Sequence, residues 1–351
     1  MTDLLRATDE MAAVEAMHAS GCTDGLPVIV PTAERVERMV LASGQSGDMV
    51  LGTMGPGHGT ATIEKVAVAA VMAGCLPDYM PVVLAAAKAV IDPVFDLTEM
   101  QATTHCTAPL IIVNGPIRQS CAIASGYGAL GPGHRANASI GRALRLCMIN
   151  IGKAQPGSSD MALLGHPGKF SYCLAEDEEN SPFPPLHVAL GFAAEQSVVT
   201  VIGAEAPHSV LYAGDGNDPE AYKALLEMLA IAIANPATNN AILTGGTAVV
   251  VLNPEHAALF FKAGLSREDI AQEIHSHSVL SQPQLQRFAG GFSRPDEAER
   301  HAFTGPEQLL IMMAGGSGLY SMVMPTWCAG THRNSPSSMV VEDNFFCELP
   351  G

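Results

Sequence analysis

Several short stretches of this chain are apolar at almost every position and end at turn formers. They are residues 198–202 (Val-Val-Thr-Val-Ile), 248–252 (Ala-Val-Val-Val-Leu), 309–314 (Leu-Leu-Ile-Met-Met-Ala) and the run through Ile111-Ile112-Val113 to Asn114-Gly115-Pro116. A strand with one wet face alternates apolar and polar side chains, so runs without alternation predict buried strands. Residues 27–30 (Pro-Val-Ile-Val) read the same way. Between them lie helical patterns: residues 9–19, residues 33–41 behind Thr32 as N-cap, and residues 219–235. A further helix follows Asn253-Pro254, and another is opened by Ser266 with Asp269 three residues on. Buried strands alternating with helices define an α/β fold.

Composition agrees. Of 351 residues, 48% are hydrophobic, 15% are charged and 5% are aromatic, which suits a large core packed through small side chains. The longest apolar stretch, residues 66–91, is broken by Pro77, Asp78, Pro81 and Lys88, so it predicts two buried helices and not a membrane span. The 35 acidic against 18 basic residues give a net charge of −17 and no basic run, which excludes nucleic acid and anionic membrane surfaces as partners. An acidic start in place of a basic, apolar leader predicts a cytoplasmic protein. Eight cysteines without a CxxC pair predict core thiols in a reducing compartment.

One motif occurs twice. Gly55-Pro56-Gly57-His58 recurs as Gly131-Pro132-Gly133-His134, followed by Ala61-Thr62-Ile63-Glu64-Lys65 in one case and Ala138-Ser139-Ile140-Gly141-Arg142 in the other. Read as an internal duplication of the N-terminal half, the two units present two helix N-termini that converge on one anion beside Lys65 and Arg142. Residues 1–205 then form a duplicated region and residues 206–351 a second α/β region, with a soft boundary near the Pro, Gly, Asn and Asp of residues 204–220. A single composite domain fits as well.

The densest polar segment runs from Gly165-His166-Pro167-Gly168-Lys169 through Glu176-Asp177-Glu178-Glu179 to His187. Loops with a lysine among acids carry proton-transfer groups, or form a solvated, salt-bridged turn. Among the thiols, Cys75 lies at a helix end before Pro77, Cys106 adjoins His105, and Cys328 sits in Pro325-Thr326-Trp327-Cys328. His275-Ser276-His277 resembles a chelating pair, but no HExxH accompanies it. Gly316-Ser317-Gly318 misses the dinucleotide fingerprint, with too little chain after it for a nucleotide-binding half, and reads as a substrate-facing loop.

The phrases Thr23-Asp24-Gly25-Leu26-Pro27, Ala70-Val71-Met72-Ala73-Gly74-Cys75, Arg135-Ala136-Asn137-Ala138-Ser139-Ile140-Gly141-Arg142 and His166-Pro167-Gly168-Lys169 resemble an uncharacterised bacterial family over most of the chain. Its members tend to be encoded beside small proteins bearing a selenocysteine-or-cysteine, Gly, Ser, Cys motif. The matching residues are Asp24, Cys75, Arg135, Asn137, Arg142, Lys169 and Glu176. The family pattern has a residue other than cysteine at Cys22 and a second proline at Val30, so the resemblance does not carry Cys22 as a thiol. It implies a redox or thiol-linked context and the making or breaking of a carbon–heteroatom bond.

The leading expectation is a cytoplasmic enzyme, a lyase or oxidoreductase sooner than a hydrolase, acting on a small anionic organic molecule without a cofactor. Cys75, Lys169, Glu176 and His134 carry the chemistry in this reading. His58, Lys65, Arg135, Asn137, Arg142, His166, Gly316 and Ser317 bind the substrate. One alternative is a metal-dependent lyase or hydrolase with a metal ion on His105, His275 and His277. Another is a non-catalytic subunit that holds a small redox protein. A homo-oligomer is compatible with each.

Overall fold

Side-chain caps start the first helices. Asp9 and Thr32 each accept a hydrogen bond from the backbone N–H three residues on and open α1 (Glu10–Ala19) and α2 (Ala33–Ala42). The computed structural model describes residues 6–215, 218–294 and 296–342; residues 1–5 of the acidic start, Gly216 and Asn217 of the glycine-rich turn, and Cys347 lie outside them. An antiparallel hairpin, β1 (Val50–Met54) and β2 (Gly59–Thr62), leads into α3 (Ile63–Ala73), which Thr62 caps. Gly74, in the left-handed region at φ 85°, ends α3. The apolar stretch then resumes as α4 (Met80–Ile91), followed by α5 (Leu97–Ala102). Among the described residues no helix is long and apolar enough to cross a membrane.

The first sheet grows from β3 (Ala108–Asn114), α6 (Ile117–Ser120), α7 (Arg135–Asn150), β4 (Cys173–Ala175), α8 (Leu186–Ala189) and β5 (Val198–Ala204). The chain then passes through β6 (His208–Leu211), α9 (Ala221–Ile233) and α10 (Asn239–Leu243) to β7 (Ala248–Leu252), α11 (Pro254–Lys262) and α12 (Arg267–His277). A ribbon of β8 (Val279–Ser281) and β9 (Glu299–His301) encloses α13 (Gln282–Phe288), and β10 (Leu309–Met313), β11 (Tyr320–Met324) and β12 (Ser337–Val340) complete the order. The expected caps hold: Asn253 precedes Pro254 at the start of α11, and Ser266 and Asp269 form a capping box on α12.

Among the described residues there are two four-stranded sheets, ordered β12-β5-β3-β4 and β6-β11-β7-β10. Strand directions match: β3 is parallel to β4 and antiparallel to β5, as β7 is parallel to β10 and antiparallel to β11. The chain passes between the sheets twice: β6 follows β5 yet pairs with β11, and β12 follows β11 yet pairs with β5.

Layering explains the unalternating strands. Ile111, Val113, Val199 and Val201 pack under α3, α4 and α7. The opposite faces, Leu110, Ile112 and Ile202, meet Val249, Val251, Leu310 and Met312 of the second sheet. The far side of that sheet, Val250, Leu252 and Ile311, is covered by α9, α11 and α12 through Leu225, Phe260 and Ile270. The order is helix, sheet, sheet, helix, so neither sheet has a wet face over most of its length.

The sheets are joined where β5 and β11 end. Ala204 bridges to Thr326, Glu205 N–H donates to Pro325 O at 2.9 Å, and Trp327 N–H donates to Gly203 O at 3.3 Å. Two buried asparagines lock the joint. Asn334 accepts from Gly203 N–H and donates back to Gly203 O, and Asn240 accepts from Thr326 N–H and donates to Gly245 O.

Two expectations change. Residues 27–30 are not a strand; Ile29 N–H bonds the end of α3 at Met72 O instead. The GPGH motifs do not head equivalent units: the first is the hairpin turn between β1 and β2, four residues before α3, and the second abuts α7, where Ser139 lies inside the helix. The division after residue 205 falls where the chain first passes between sheets; the second sheet lies wholly beyond it, and β12 returns to the first sheet.

Replacing Asn240 or Asn334 by alanine leaves buried backbone groups at the crossing unpaired. Each variant is expected to lose about 1–3 kcal/mol, read as a lower urea midpoint.

Candidate functional site

Helix α7 runs antiparallel to α3. Arg135, in its first turn, donates from Nε and Nη2 to Gly74 O at the end of α3, at 3.1 and 2.9 Å, while Gly57 N–H, near the start of α3, donates to Gly152 O beyond the end of α7. The two helix starts therefore stand at opposite ends of the pair, roughly 24 Å apart along a helix of 16 residues. They cannot converge on one anion.

The residues assigned to that anion have other partners. His58 occupies the hairpin turn at φ 53°, His134 Nε2 is 3.1 Å from Tyr127 O, and Lys65 Nζ donates to Thr60 O. Asn137, buried, ties down Ala124 and Ala129. Arg142 grips Asp24 with two bonds of 2.7 and 2.8 Å and also reaches Leu26 O and Pro27 O. Gly316 and Ser317 lie between β10 and β11, where a strand and not a helix follows, so the loop lacks the helix start that holds a dinucleotide.

The same helix builds a different site. Gly141 lets α7 close on residues 171–172: a Cβ there would stand 2.4 Å from Ser171 Oγ and 2.7 Å from Tyr172 N. One turn on, Arg145 donates from Nε to Lys169 O at 2.6 Å. Lys169 ends a short turn capped by His166, whose Nδ1 accepts from Gly168 N–H and whose Nε2 lies 3.3 Å from Ala204 O. Those bonds assign a neutral ring, and burial pushes the imidazole pKa down. Asp160 is presented by a turn in which Ser158, Ser159 and Asp160 N–H groups all donate to Gln155 O.

These segments and the Asp24 loop enclose a cavity of about 380 Å³. Its polar end is Arg145, Lys169 and Asp160; Ile149, Ala154, Ala162 and Phe170 line much of the rest, with Thr23, Asp24 and Gln155 among them. Lys169 Nζ donates to Asp160 Oδ1 at 2.8 Å and lies 3.4 Å from Thr107 O. Burial, then the neighbouring Arg145 charge, push the lysine pKa below its usual value against the pull of Asp160. Arg145 Nη1 reaches Gln101 Oε1 at 3.3 Å and Asp160 Oδ2 at 3.5 Å. Its Nη2 has no hydrogen-bond partner among the described residues, and neither have Gln101 Nε2 and Thr107 Oγ1, all three buried. Two cations stand against one carboxylate here, which leaves this end with a net positive charge.

Lys169 and Glu176 do not work together. They flank β4, and Glu176 at its far end accepts from Asn114 Nδ2 and Leu186 N–H at 2.6 Å and pairs with Arg267 at 3.2 Å. It is fully buried, burial pushes its pKa up, and its role is to bind α12 to the end of the first sheet. Cys75 is likewise not a thiolate: burial outweighs a hydrogen bond with Ser139 and the charge of Arg135, and its pKa is pushed up to about 12. Cys106 is the thiol near the cavity. It is half-buried, and its Sγ accepts from Leu164 and Gly165 N–H at 3.4 and 3.2 Å, on the loop that lines the cavity.

The histidines do not assemble a metal centre. His105 bonds Glu205 and Asn239, His275 stacks on His301 at 5.0 Å, and His277 bonds Glu273 O. Among the described residues no group of three or more His, Cys, Asp or Glu is placed to hold a metal ion. No family model matches the chain, and no match is found among curated proteins or solved structures.

Of the expected site residues, the structure brings Lys169 and His166 to the cavity. Gln101, Thr107, Arg145 and Asp160 were not expected; the one available signal was that Arg145 follows Arg142 at the i,i+3 spacing that puts both on one helix face. Iodoacetamide at pH 8 is expected to label Cys106 in the folded protein while Cys75, Cys147 and Cys173 react only after unfolding, read by peptide mass mapping. Labelling of Cys75 at the rate of Cys106 would contradict the assignment.

Proposed function

We propose that this chain is an enzyme that holds a small anionic organic molecule at Arg145 and moves a proton through Lys169. One observation carries the reading: Arg145, which lines a cavity beside Lys169, has a buried Nη2 without a partner among the described residues, and the residues bonded to this pair, Gln101 and Thr107, hold two more such groups, Nε2 and Oγ1. Buried donors are normally satisfied, and an anionic ligand would satisfy these. A lysine brought down from its usual pKa by burial and a neighbouring cation is nearer the range in which proton transfer is efficient. Beside a bound organic anion, its ammonium can protonate a leaving heteroatom, or its amine can take a proton from carbon. Both are steps of a lyase that makes or breaks a carbon–heteroatom bond. If a thiol takes part, Cys106 replaces Cys75 in that role.

A second reading, a chain that holds a protein partner, draws on Leu163 and Leu164, which are 77% and 93% exposed next to the same cavity.

Thermal unfolding with a panel of organic anions tests the first reading. Wild-type protein is expected to be stabilised by several degrees near saturation. Arg145→Met is expected to lose the shift, and Lys169→Met to keep part of it while losing turnover; an unchanged shift in a folded Arg145→Met variant would sink the reading. The pH dependence has a definite sign. Affinity should fall as pH rises through the lysine pKa, below the 10.5 of an ordinary lysine, and Lys169→Arg should move that fall to higher pH.

A further inference from the structure

We infer that the ligand of this cavity is an amphipathic monocarboxylate: a single carboxylate at Arg145 joined to an apolar body that lies along Ile149, Ala154, Ala162 and Phe170. The inference rests on the anion-binding reading above and adds the class of molecule.

Size gives the first argument. A water-sized group takes about 30 Å³, so a carboxylate fills a small part of a cavity of about 380 Å³. The remainder belongs to the body of the ligand. Chemistry of the wall gives the second. Away from the polar end Ile149, Ala154, Pro156, Ala162, Leu164 and Phe170 give an apolar wall interrupted by Thr23 and Gln155, and covering the apolar part yields about 25 cal/mol for each Å² taken from water. Asp24, the other charged side chain on that side, has its charge matched by Arg142, which donates to both its oxygens, so no cation is left there for a second anionic group of the ligand.

Charge gives the third. Arg145 and Lys169 against Asp160 leave one net positive charge, which one carboxylate neutralises. A dicarboxylate or phosphate monoester would set its extra charge against Asp160 or in the apolar half, without a cation to meet it.

Isothermal titration of the full chain with acetate, hexanoate, 3-phenylpropanoate, phenyl phosphate and succinate tests this. Affinity is expected to rise by about tenfold or more from acetate to 3-phenylpropanoate, with phenyl phosphate and succinate weaker than 3-phenylpropanoate by a similar factor. Ala162→Phe, which fills the apolar half, is expected to remove most of the gain from the phenyl group; Phe170→Ala supplies the same readout should that variant fail to fold. Equal affinity for acetate and 3-phenylpropanoate, or tighter binding of the phosphate or succinate, overturns the inference. If that binding still needs Arg145, the anion-binding reading survives. Binding that ignores Arg145→Met, or no binding by any of the acids, overturns both.

Discussion

The joint at Ala204 and Thr326, where the chain passes from one sheet to the other and back, is the constraint on which the rest of the structure depends. The chain leaves the first sheet after β5, builds the whole second sheet from β6 to β11 and returns with β12, so the first sheet is complete only once the second has been traversed. Apolar sheet faces are costly in water, and here the inner faces cover each other and the outer faces take helices. The joint itself is dry. It is held by backbone bonds, by the paired amides of Asn240 and Asn334, and by Trp327, which packs into the core that lies over the first sheet.

The crossing also fixes the candidate site. Its last β5 residue, Ala204, faces His166 through its carbonyl, and His166 caps the turn that carries Lys169. Helix α7 lies over the same sheet and supplies two arginines with different tasks. Arg142 clamps the Asp24 loop, and Arg145 reaches the backbone and the partner of Lys169. The buried ion pair of Glu176 with Arg267 occupies the opposite end of β4 and ties the second helical layer to the first sheet. Two polar clusters at two ends of β4 thus divide the work: Glu176 with Arg267 joins layers, and Arg145, Lys169 and Asp160 line a cavity.

Much of the fold was legible because its signals are local. The runs at 248–252 and 309–314 became β7 and β10, and Thr32, Asn253 and Ser266 capped the helices they precede. Misreadings came where the decisive contact is distant in sequence. Residues 27–30 have a strand's composition, yet no neighbouring strand pairs with them, and they run beside the end of α3 instead. Gly-Pro-Gly-His specifies a turn and says nothing of what the turn joins. Lys169 and Glu176 are seven residues apart, but an extended strand between them separates their ends by roughly 3.3 Å per residue. The site was legible only in part for the same reason. A lysine in a Pro-Gly turn marks itself, whereas Arg145 in mid-helix resembles any solvated arginine until the packing of Gly141 on Ser171 and Tyr172 shows that it is buried.

The account stands on the claim that Arg145 Nη2 and Gln101 Nε2 await an anionic group from a ligand. A crystal structure of the protein with bound 3-phenylpropanoate tests that claim most directly. The account predicts a carboxylate oxygen within about 2.7–3.2 Å of Arg145 Nη2, with the phenyl ring against Phe170 and Ala162. A carboxylate seated elsewhere, with Arg145 Nη2 bonded instead to a fixed group of the protein, would contradict it.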